Sequence, residues 1–237
     1  MINKELLKEY TDIFGITVDE TVIDRFDKYA EALVETNKHL NLTAITDPDG
    51  VTVKHFADSL SVMSVCKPEK GSHLLDVGTG AGFPGSVLLM ANPDINMTLI
   101  DSTQKKLRFI SETLDSIGLY AETVHMRAEE AGQLPEYRES FDTVTARAVA
   151  NLRELSEYCL PFVKIGGTFI AMKSVKTDEE ISEAEKAITL LGGKIEKIHS
   201  FELGDAGERT LIIIKKISHT PSKYPRPSAK IAKQPIK

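Results

Sequence analysis

A cluster of glycines follows a short apolar run in the first half of the chain. The run Leu74-Leu75 ends in Asp76, and glycine then recurs at every second position from Gly78 to Gly82. Pro84 opens the next apolar segment, and proline is favoured in the first turn of a helix. Because glycine has no side chain, the backbone of such a turn can approach a ligand closely. The pattern therefore predicts a buried strand, a ligand-binding turn and a helix start.

Two cofactors are compatible with glycines at this spacing. Asp-x-Gly-x-Gly-x-Gly resembles the first motif of S-adenosylmethionine-dependent methyltransferases. Gly80, Gly82 and Gly85 also satisfy G-x-G-x-x-G, the fingerprint of proteins that bind nicotinamide dinucleotides. The first glycine of that fingerprint should leave its strand directly, and here that place belongs to Gly78. We therefore favour S-adenosylmethionine, with a nicotinamide cofactor as the alternative.

Further polar residues lie where the predicted strands end. Asp101 ends the second strand, where a carboxylate can accept both hydroxyls of a ribose. Its structural alternative is the N-cap of the following helix. Ala128 and Glu129 follow the third strand, where an amide and a carboxylate could lie near an adenine. Arg147 ends the fourth, and a buried guanidinium there requires anionic or carbonyl partners.

The elements that would position these residues alternate between strand and helix, as in a parallel sheet. The last two strands follow each other directly, which favours an antiparallel hairpin at the end of the chain. Strands are predicted near 74–76, 95–100, 121–126, 141–145, 166–172, 194–202 and 210–217, and helices near 4–14, 17–40, 51–65, 84–91, 103–117, 152–162 and 179–191. We expect an α/β fold with a Rossmann-like, seven-stranded, mostly parallel sheet. The expected division is a helical extension over 1–70, a methyltransferase domain over 71–217 and a basic tail over 218–237.

Composition narrows the class of protein. The chain has 237 residues, of which 41% are hydrophobic and 27% charged, as in soluble globular proteins. No apolar run approaches the ~20 residues of a membrane span, and the N-terminus lacks the pattern of a signal peptide. Cys66 and Cys159 have no paired spacing, so neither a disulfide framework nor a metal site is expected. We expect a cytoplasmic protein with reduced thiols and no membrane partner, and a monomer.

Charge is distributed unevenly along the chain. The net charge is −6, but residues 215–237 hold seven Lys or Arg and no Asp or Glu. Subtracting those seven leaves 22 basic against 35 acidic residues in 1–214, a net charge of −13. A basic arm on an acidic body favours contact with phosphates. A solvated terminal tail is the equally weighted alternative.

The absence of two motifs from the sequence reduces the number of chemical groups that could accept the methyl group. Enzymes that methylate exocyclic amines carry Asp/Asn-Pro-Pro-aromatic after strand four, and residues 145–150 read TARAVA instead. Enzymes that methylate a pyrimidine carbon need a thiolate, and neither Cys66 nor Cys159 lies in a suitable motif. A guanine N7 has a free lone pair and no proton to remove, so it needs only placement against the methyl group. No residue is therefore assigned as a catalytic acid or base.

Taken together, these stretches resemble the glucose-inhibited division protein B family, the methyltransferases of guanine N7 in bacterial small-subunit ribosomal RNA. The matches, in family order, are NLTAI at 41–45, HFADSL at 55–60, LDVGTGAGFPG at 75–85, Asp101, Ser102, Lys105 and Lys106, FDTVTARAVA at 141–150 and TPSKYPR at 220–226. The resemblance implies S-adenosylmethionine as donor, S-adenosylhomocysteine as product, and small-subunit rRNA or the 30S particle as partner. It implies that the cofactor contacts Gly78, Phe83, Ala128, Glu129 and Arg147.

The last eleven residues depart from the family pattern, because Ala229 and Ile231 stand where the family has a Gly and a Pro. Lys223, Tyr224 and Arg226 are retained, and an aromatic ring between two cations can stack on a base while its neighbours hold phosphates. Two alternatives stay open: a methyltransferase of a small molecule or protein, and a non-catalytic RNA-binding protein on the same fold.

Overall fold

The computed structural model describes residues 2–147, 150–174 and 178–236. Two residues of the TARAVA stretch, 148 and 149, and the last residue of the tail lie outside them. The strands are β1 (His73–Val77), β2 (Asn96–Asp101), β3 (Glu122–His125), β4 (Phe141–Arg147), β5 (Val163–Lys173), β6 (Gly193–Glu202) and β7 (Glu208–Lys216). The α-helices are α1 (Lys4–Phe14), α2 (Glu20–Leu40), α3 (Pro48–Val51), α4 (Asp58–Leu60), α5 (Gly85–Ala91), α6 (Gln104–Ser116), α7 (Ala128–Ala131), α8 (Leu152–Cys159), α9 (Asp178–Leu190) and α10 (Ser228–Lys233). None of the described helices is long and apolar enough to cross a membrane.

The described strands form one seven-stranded sheet in the order β3-β2-β1-β4-β5-β7-β6. The first five strands pair in parallel, whereas β7 pairs antiparallel with both β5 and β6. The chain moves outward from β1 to β3 and then crosses back to β4, which places the switch in strand order beside β1. Open α/β sheets bind ligands at such a switch, outside the carboxyl ends of the strands. The predicted architecture is confirmed.

Each face of the sheet carries its own apolar cluster, because successive side chains on a strand point to opposite faces. On β1, Leu74 belongs to the first cluster and Leu75 to the second. The first cluster includes Leu7 and Phe26 of the N-terminal extension, and the second includes Tyr224 from the end of the chain. The two ends of the chain therefore cover opposite faces of one sheet, and the boundaries at 70 and 217 stay predictions.

The helix expected over 51–65 is irregular. A π-helix (Thr52–Ala57) joins α3 to α4, and a 3-10 helix (Ser61–Ser64) follows. The Ser59 hydroxyl donates to the carbonyl of His55 at 2.6 Å and the Ser61 hydroxyl to that of Asp58 at 2.5 Å. Such bonds compete with the regular helical ladder, and π-turns frequently occur at functional sites. The buried side chains of His55 and Asp58 come from this segment.

Candidate functional site

A cavity of about 300 Å³ opens at the carboxyl ends of β1, β2 and β3. That volume lies at the lower end of the range for small-molecule sites, ~300–1,000 Å³. The lining residues come from the ends of those strands, from α7, from α8 and from the start of α10: Val77, Gly78, Ile100, Asp101, Ser102, Met126, Arg127, Ala128, Glu129, Ala150, Glu154, Tyr158 and Ser228. Four predicted cofactor residues are brought together here: Gly78, Asp101, Ala128 and Glu129.

The first half of the glycine turn bonds to β2 beside the cavity. The amide of Gly78 donates to the carbonyl of Ile100 at 2.8 Å, and the amide of Gly80 donates to Asp101 Oδ2 at 2.9 Å. Gly78 has φ 69° and Gly80 has φ 62°, in the left-handed region that glycine adopts without strain. The turn thus holds the Asp101 carboxylate in place while the Gly78 backbone lines the cavity.

Asp101 serves both the turn and the following helix. Its Oδ1 accepts the amide of Thr103 at 2.8 Å, and it is 8% exposed. Helix α6 begins at Gln104 with Thr103 at the N-cap, so Asp101 lies two residues before the cap. The alternative that Asp101 is the N-cap is therefore wrong, because Thr103 occupies that position. An ionised carboxylate has about four lone-pair sites, so two protein donors leave acceptor capacity facing the cavity.

The second half of the turn packs into the core. Tyr29 of α2 donates its hydroxyl to the carbonyl of Ala81 at 2.8 Å. A Cβ at Gly82, whose φ is 93°, would overlap that hydroxyl and the Ser86 side chain. Burial raises the pKa of Tyr29, which keeps the phenol protonated. Gly82 therefore allows α2 to close against the turn.

Phe83, another predicted cofactor residue, lies in an aromatic cluster rather than in the cavity lining. Its ring stacks on His55 with centroids 4.6 Å apart and meets Tyr29 edge-on at 5.9 Å. It is 4% exposed. This side chain packs α2 and the π-helix against the turn, and its contact with the cofactor stays a prediction.

Asp76, the acidic residue before the turn, is buried and structural. Its Oδ2 accepts the amide of Gly85 at 3.0 Å, where α5 begins, and its Oδ1 accepts the Thr145 hydroxyl of β4 at 2.9 Å. Burial raises the pKa of this carboxyl, and these hydrogen bonds oppose the rise. Asp76 thereby couples the start of α5 to β1 and β4.

Arg147 is partly buried and has the anionic and carbonyl partners that the sequence predicts. Its Nη1 donates to Asp58 Oδ2 and to the carbonyl of Lys54, both at 2.9 Å. Asp58 Oδ1 lies 3.3 Å from Arg209 Nε, so one carboxylate faces two guanidinium groups. The Arg147 guanidinium also lies 5.4 Å above the centre of the Phe83 ring, within cation–π range. This cluster adjoins the glycine turn through Phe83, and its partners come from residues far apart in sequence.

His55 completes the same cluster as a neutral imidazole. Its Nε2 lies 2.8 Å from the Thr43 hydroxyl, and its buried Nδ1 has no partner among the described residues. Burial, with a smaller contribution from Arg147, lowers the pKa of His55 to about 4. Arg147 therefore keeps its ion pair with Asp58 beside an uncharged neighbour.

The basic tail is not wholly solvated, because part of it packs against the body of the protein, and its contact with phosphates stays a prediction. Tyr224 is 6% exposed and belongs to the second apolar cluster. Arg226 forms a bidentate ion pair with Glu157 of α8, with Nη2–Oε2 2.6 Å and Nε–Oε1 2.8 Å. The side chains of Tyr224 and Arg226 are thus engaged within the fold, and their predicted contacts with RNA stay predictions. Of the three predicted RNA-binding residues, Lys223 alone is exposed, and its role stays a prediction.

Sequence reasoning missed part of the cavity wall. Glu154 and Tyr158 line the cavity from α8, and Ser228 lines it from α10. The four-residue spacing of Glu154 and Tyr158 puts both on one face of a helix that follows β4, so a signal was present. Nothing local in the sequence marks Ser228, because its place depends on how the tail folds back.

The lining fits S-adenosylmethionine. Asp101 and Glu129 supply carboxylate acceptors for hydroxyl and amino donors. Val77, Ile100 and Met126 supply apolar surface for a heterocyclic ring. Apolar surface beside polar groups that converge is typical of small-molecule sites.

Comparison with known proteins agrees with this assignment. The sequence model of the GidB family, described as rRNA small subunit methyltransferase G, matches residues 22–212. A protein named ribosomal RNA small subunit methyltransferase G from Acetivibrio thermocellus is 47% identical over 235 residues, covering 98% of this chain and 96% of that protein. A protein of the same name from Leuconostoc mesenteroides is 43% identical over 239 residues and is covered completely, as is this chain.

Solved structures show the same fold at low identity. A methyltransferase from Pyrococcus furiosus matches with a TM-score of 0.56 at 13% identity, covering 82% of this chain and 99% of that one. A SAM-dependent methyltransferase from Aquifex aeolicus matches with a TM-score of 0.53 at 20% identity, covering 75% and 97%. The predicted Rossmann-like methyltransferase fold is thus confirmed.

Proposed function

We propose the function of this chain from the premise that the chain belongs to the GidB family, the rRNA small subunit methyltransferases G. It is an S-adenosylmethionine-dependent methyltransferase. The acceptor that we propose is N7 of one guanine in the 16S ribosomal RNA, presented as rRNA or as the 30S particle. The observation that carries the proposal is the convergence of Gly78, Asp101, Ala128 and Glu129 on one cavity at the strand-order switch.

In this proposal each cavity residue has a binding role. Asp101 accepts the ribose hydroxyls, because its carboxylate is held by Gly80 and retains acceptor capacity. Glu129 and the Ala128 amide lie at the place for the adenine, beside the apolar wall. The Gly78 backbone borders the cavity next to β1. S-adenosylmethionine supplies an electrophilic methyl group, and its transfer to N7 breaks the sulfur–carbon bond and leaves S-adenosylhomocysteine.

The thiols of the chain argue against an acceptor that needs covalent addition. Cys159 is fully buried, and burial raises the pKa of its thiol well above the ordinary value. Burial also raises the pKa of Cys66, despite its contact with Thr143. A thiolate at either position is disfavoured, so the route used for pyrimidine carbons is unsupported here. Guanine N7 requires no proton transfer, and placement alone can supply much of the acceleration.

The direct test is transfer of a labelled methyl group from S-adenosylmethionine to small ribosomal subunits from cells that lack this gene, with their naked 16S RNA in parallel. Label that maps to one guanine, at a site cleaved by borohydride and aniline, would establish donor, substrate and acceptor atom together. Asp101→Ala serves as the inactive control, because the variant loses the proposed ribose acceptor. Binding of the cofactor without incorporation into either RNA would refute the acceptor and favour a small-molecule or protein substrate.

A further inference from the structure

The C-terminal segment, residues 218–236, lies against both helices that line the cavity. Helix α7 contributes Ala128 and Glu129 to the lining, and α8 contributes Glu154 and Tyr158. The segment itself contributes Ser228. Contacts between the segment and the two helices therefore hold three parts of the cavity wall: α7, α8 and Ser228.

The contact with α8 is a buried ion pair. Glu157 lies on α8 directly before Tyr158 and is 1% exposed. It accepts three hydrogen bonds from Arg226: from the backbone amide at 2.9 Å, from Nε at 2.8 Å and from Nη2 at 2.6 Å. Arg226 Nη1 also donates to the carbonyl of Gln234 at 2.9 Å, which ties α10 to the pair. A bidentate pair with a buried carboxylate fixes both position and angle.

The contact with α7 is made just after its last turn. Gln133 donates to the carbonyl of Pro225 at 2.8 Å, and a Cβ at Gly132 would lie 3.0 Å from the Pro225 ring. Arg138 donates to the carbonyl of Gly132 at 3.0 Å and to that of Tyr224 at 2.8 Å. The backbone of the segment next to Arg226 is thus bonded to the residues that follow the cavity helix α7.

We propose that Arg226 and Glu157 are a positioning pair for the cofactor cavity, through which the C-terminal segment sets the distance between α7 and α8. The inference rests on the proposed function for the identity of the ligand. It assigns the charge of Arg226 to cofactor affinity rather than to contact with RNA. Neither residue touches the reacting atoms, so the expected effect is on the affinity for S-adenosylmethionine and not on the rate at saturation.

The test compares Arg226→Gln with Lys233→Gln in the full-length protein. Both variants lose one cation from the same segment, but Lys233 is exposed on α10. Titration calorimetry with S-adenosylhomocysteine, the KM for S-adenosylmethionine and the affinity for 16S RNA are measured. We expect Arg226→Gln to weaken S-adenosylhomocysteine binding by about tenfold or more and to raise KM in parallel, with kcat within about twofold. Lys233→Gln should leave the S-adenosylhomocysteine affinity, the KM and the RNA affinity unchanged. Arg226→Lys should bind S-adenosylhomocysteine with an affinity between those of wild type and Arg226→Gln, because lysine keeps the positive charge but cannot form the bidentate pair of a guanidinium.

A double variant keeps the proposal testable if Arg226→Gln does not fold. Glu157→Gln with Arg226→Gln leaves no unpaired buried charge and should still weaken cofactor binding. A lower melting temperature with unchanged S-adenosylhomocysteine affinity in a folded variant would assign the pair a structural role only and overturn the inference. Loss of RNA affinity with intact cofactor binding would overturn it too. Wild-type protein that does not bind S-adenosylhomocysteine would refute the proposed cofactor site itself, which separates that failure from a failure of the pair.

Discussion

Replacing Asp101 with asparagine removes one negative charge and one acceptor oxygen from the cavity wall. The two carboxylate oxygens now accept the amides of Gly80 at 2.9 Å and Thr103 at 2.8 Å. An asparagine has one acceptor oxygen, so one of these amides would face an NH₂ group. A hydrogen bond to a charged group contributes about 1.5–3 kcal/mol net, and two ribose hydroxyls at the lower value give about 3 kcal/mol. At about 1.4 kcal/mol per tenfold change, we expect S-adenosylhomocysteine to bind ~100-fold more weakly.

Asp142→Asn is the matched control for this change. Asp142 also accepts a backbone amide, that of His73 at 2.8 Å, and pairs with Lys164, but it lies at the opposite end of β4 from the cavity. Both variants should lose some thermal stability, since each loses an acceptor for a backbone amide. Only Asp101→Asn should lose cofactor affinity in titration calorimetry. An affinity within about threefold of wild type, in a folded Asp101→Asn protein, would refute the ribose assignment and leave Asp101 as a residue that holds the glycine turn.

Three further predictions concern the glycine turn and its neighbours. Gly82→Ala should destabilise the protein by more than Gly118→Ala in chemical denaturation, because both positions have positive φ but only the former would overlap Tyr29; equal losses would contradict this. Tyr29→Phe should cost about 1 kcal/mol of unfolding free energy through the lost bond to Ala81, and a stability equal to wild type would show that bond to be neutral. The pKa of His55 is about 4 in the folded state against ~6.5 unfolded, so the unfolded chain binds more protons between these values and stability is lost as pH falls from 6.5 to 4. His55→Asn should reduce that dependence in denaturation series across this range, and an unchanged slope would contradict the assignment.

The parts of the fold that sequence predicted well are those whose signals are local. The order of strands and helices, the glycine turn after β1 and the antiparallel pairing of β6 and β7 all follow from patterns within a few residues. Gly78 and Asp101 could be assigned to one site because the carboxyl ends of neighbouring parallel strands meet at one edge. Residue type and place in the topology were sufficient for this part of the cavity.

The parts that sequence could not predict depend on partners far along the chain. Arg147 bonds to Asp58, 89 residues away, and no local pattern in the sequence predicts that pairing. Arg226 bonds to Glu157, 69 residues away. A count of basic residues treats every cation in the tail as free, whereas a guanidinium beside a buried carboxylate has its charge compensated within the protein. Charge distribution alone therefore does not reveal the contacts that Arg226 makes within the fold.

Contacts between distant residues also connect both ends of the chain to the elements around the cavity. From one face of the sheet, α2 holds the glycine turn through the bond from Tyr29 to Ala81. From the other face, the C-terminal segment holds α8 through the pair of Arg226 and Glu157. The strand ends, α7 and α8 line most of the cavity, and the C-terminal segment adds Ser228 to the lining. Both ends of the chain therefore contact the elements around the cavity: the C-terminal segment through Ser228 in the lining, and the N-terminal helix α2 through Tyr29 at the glycine turn.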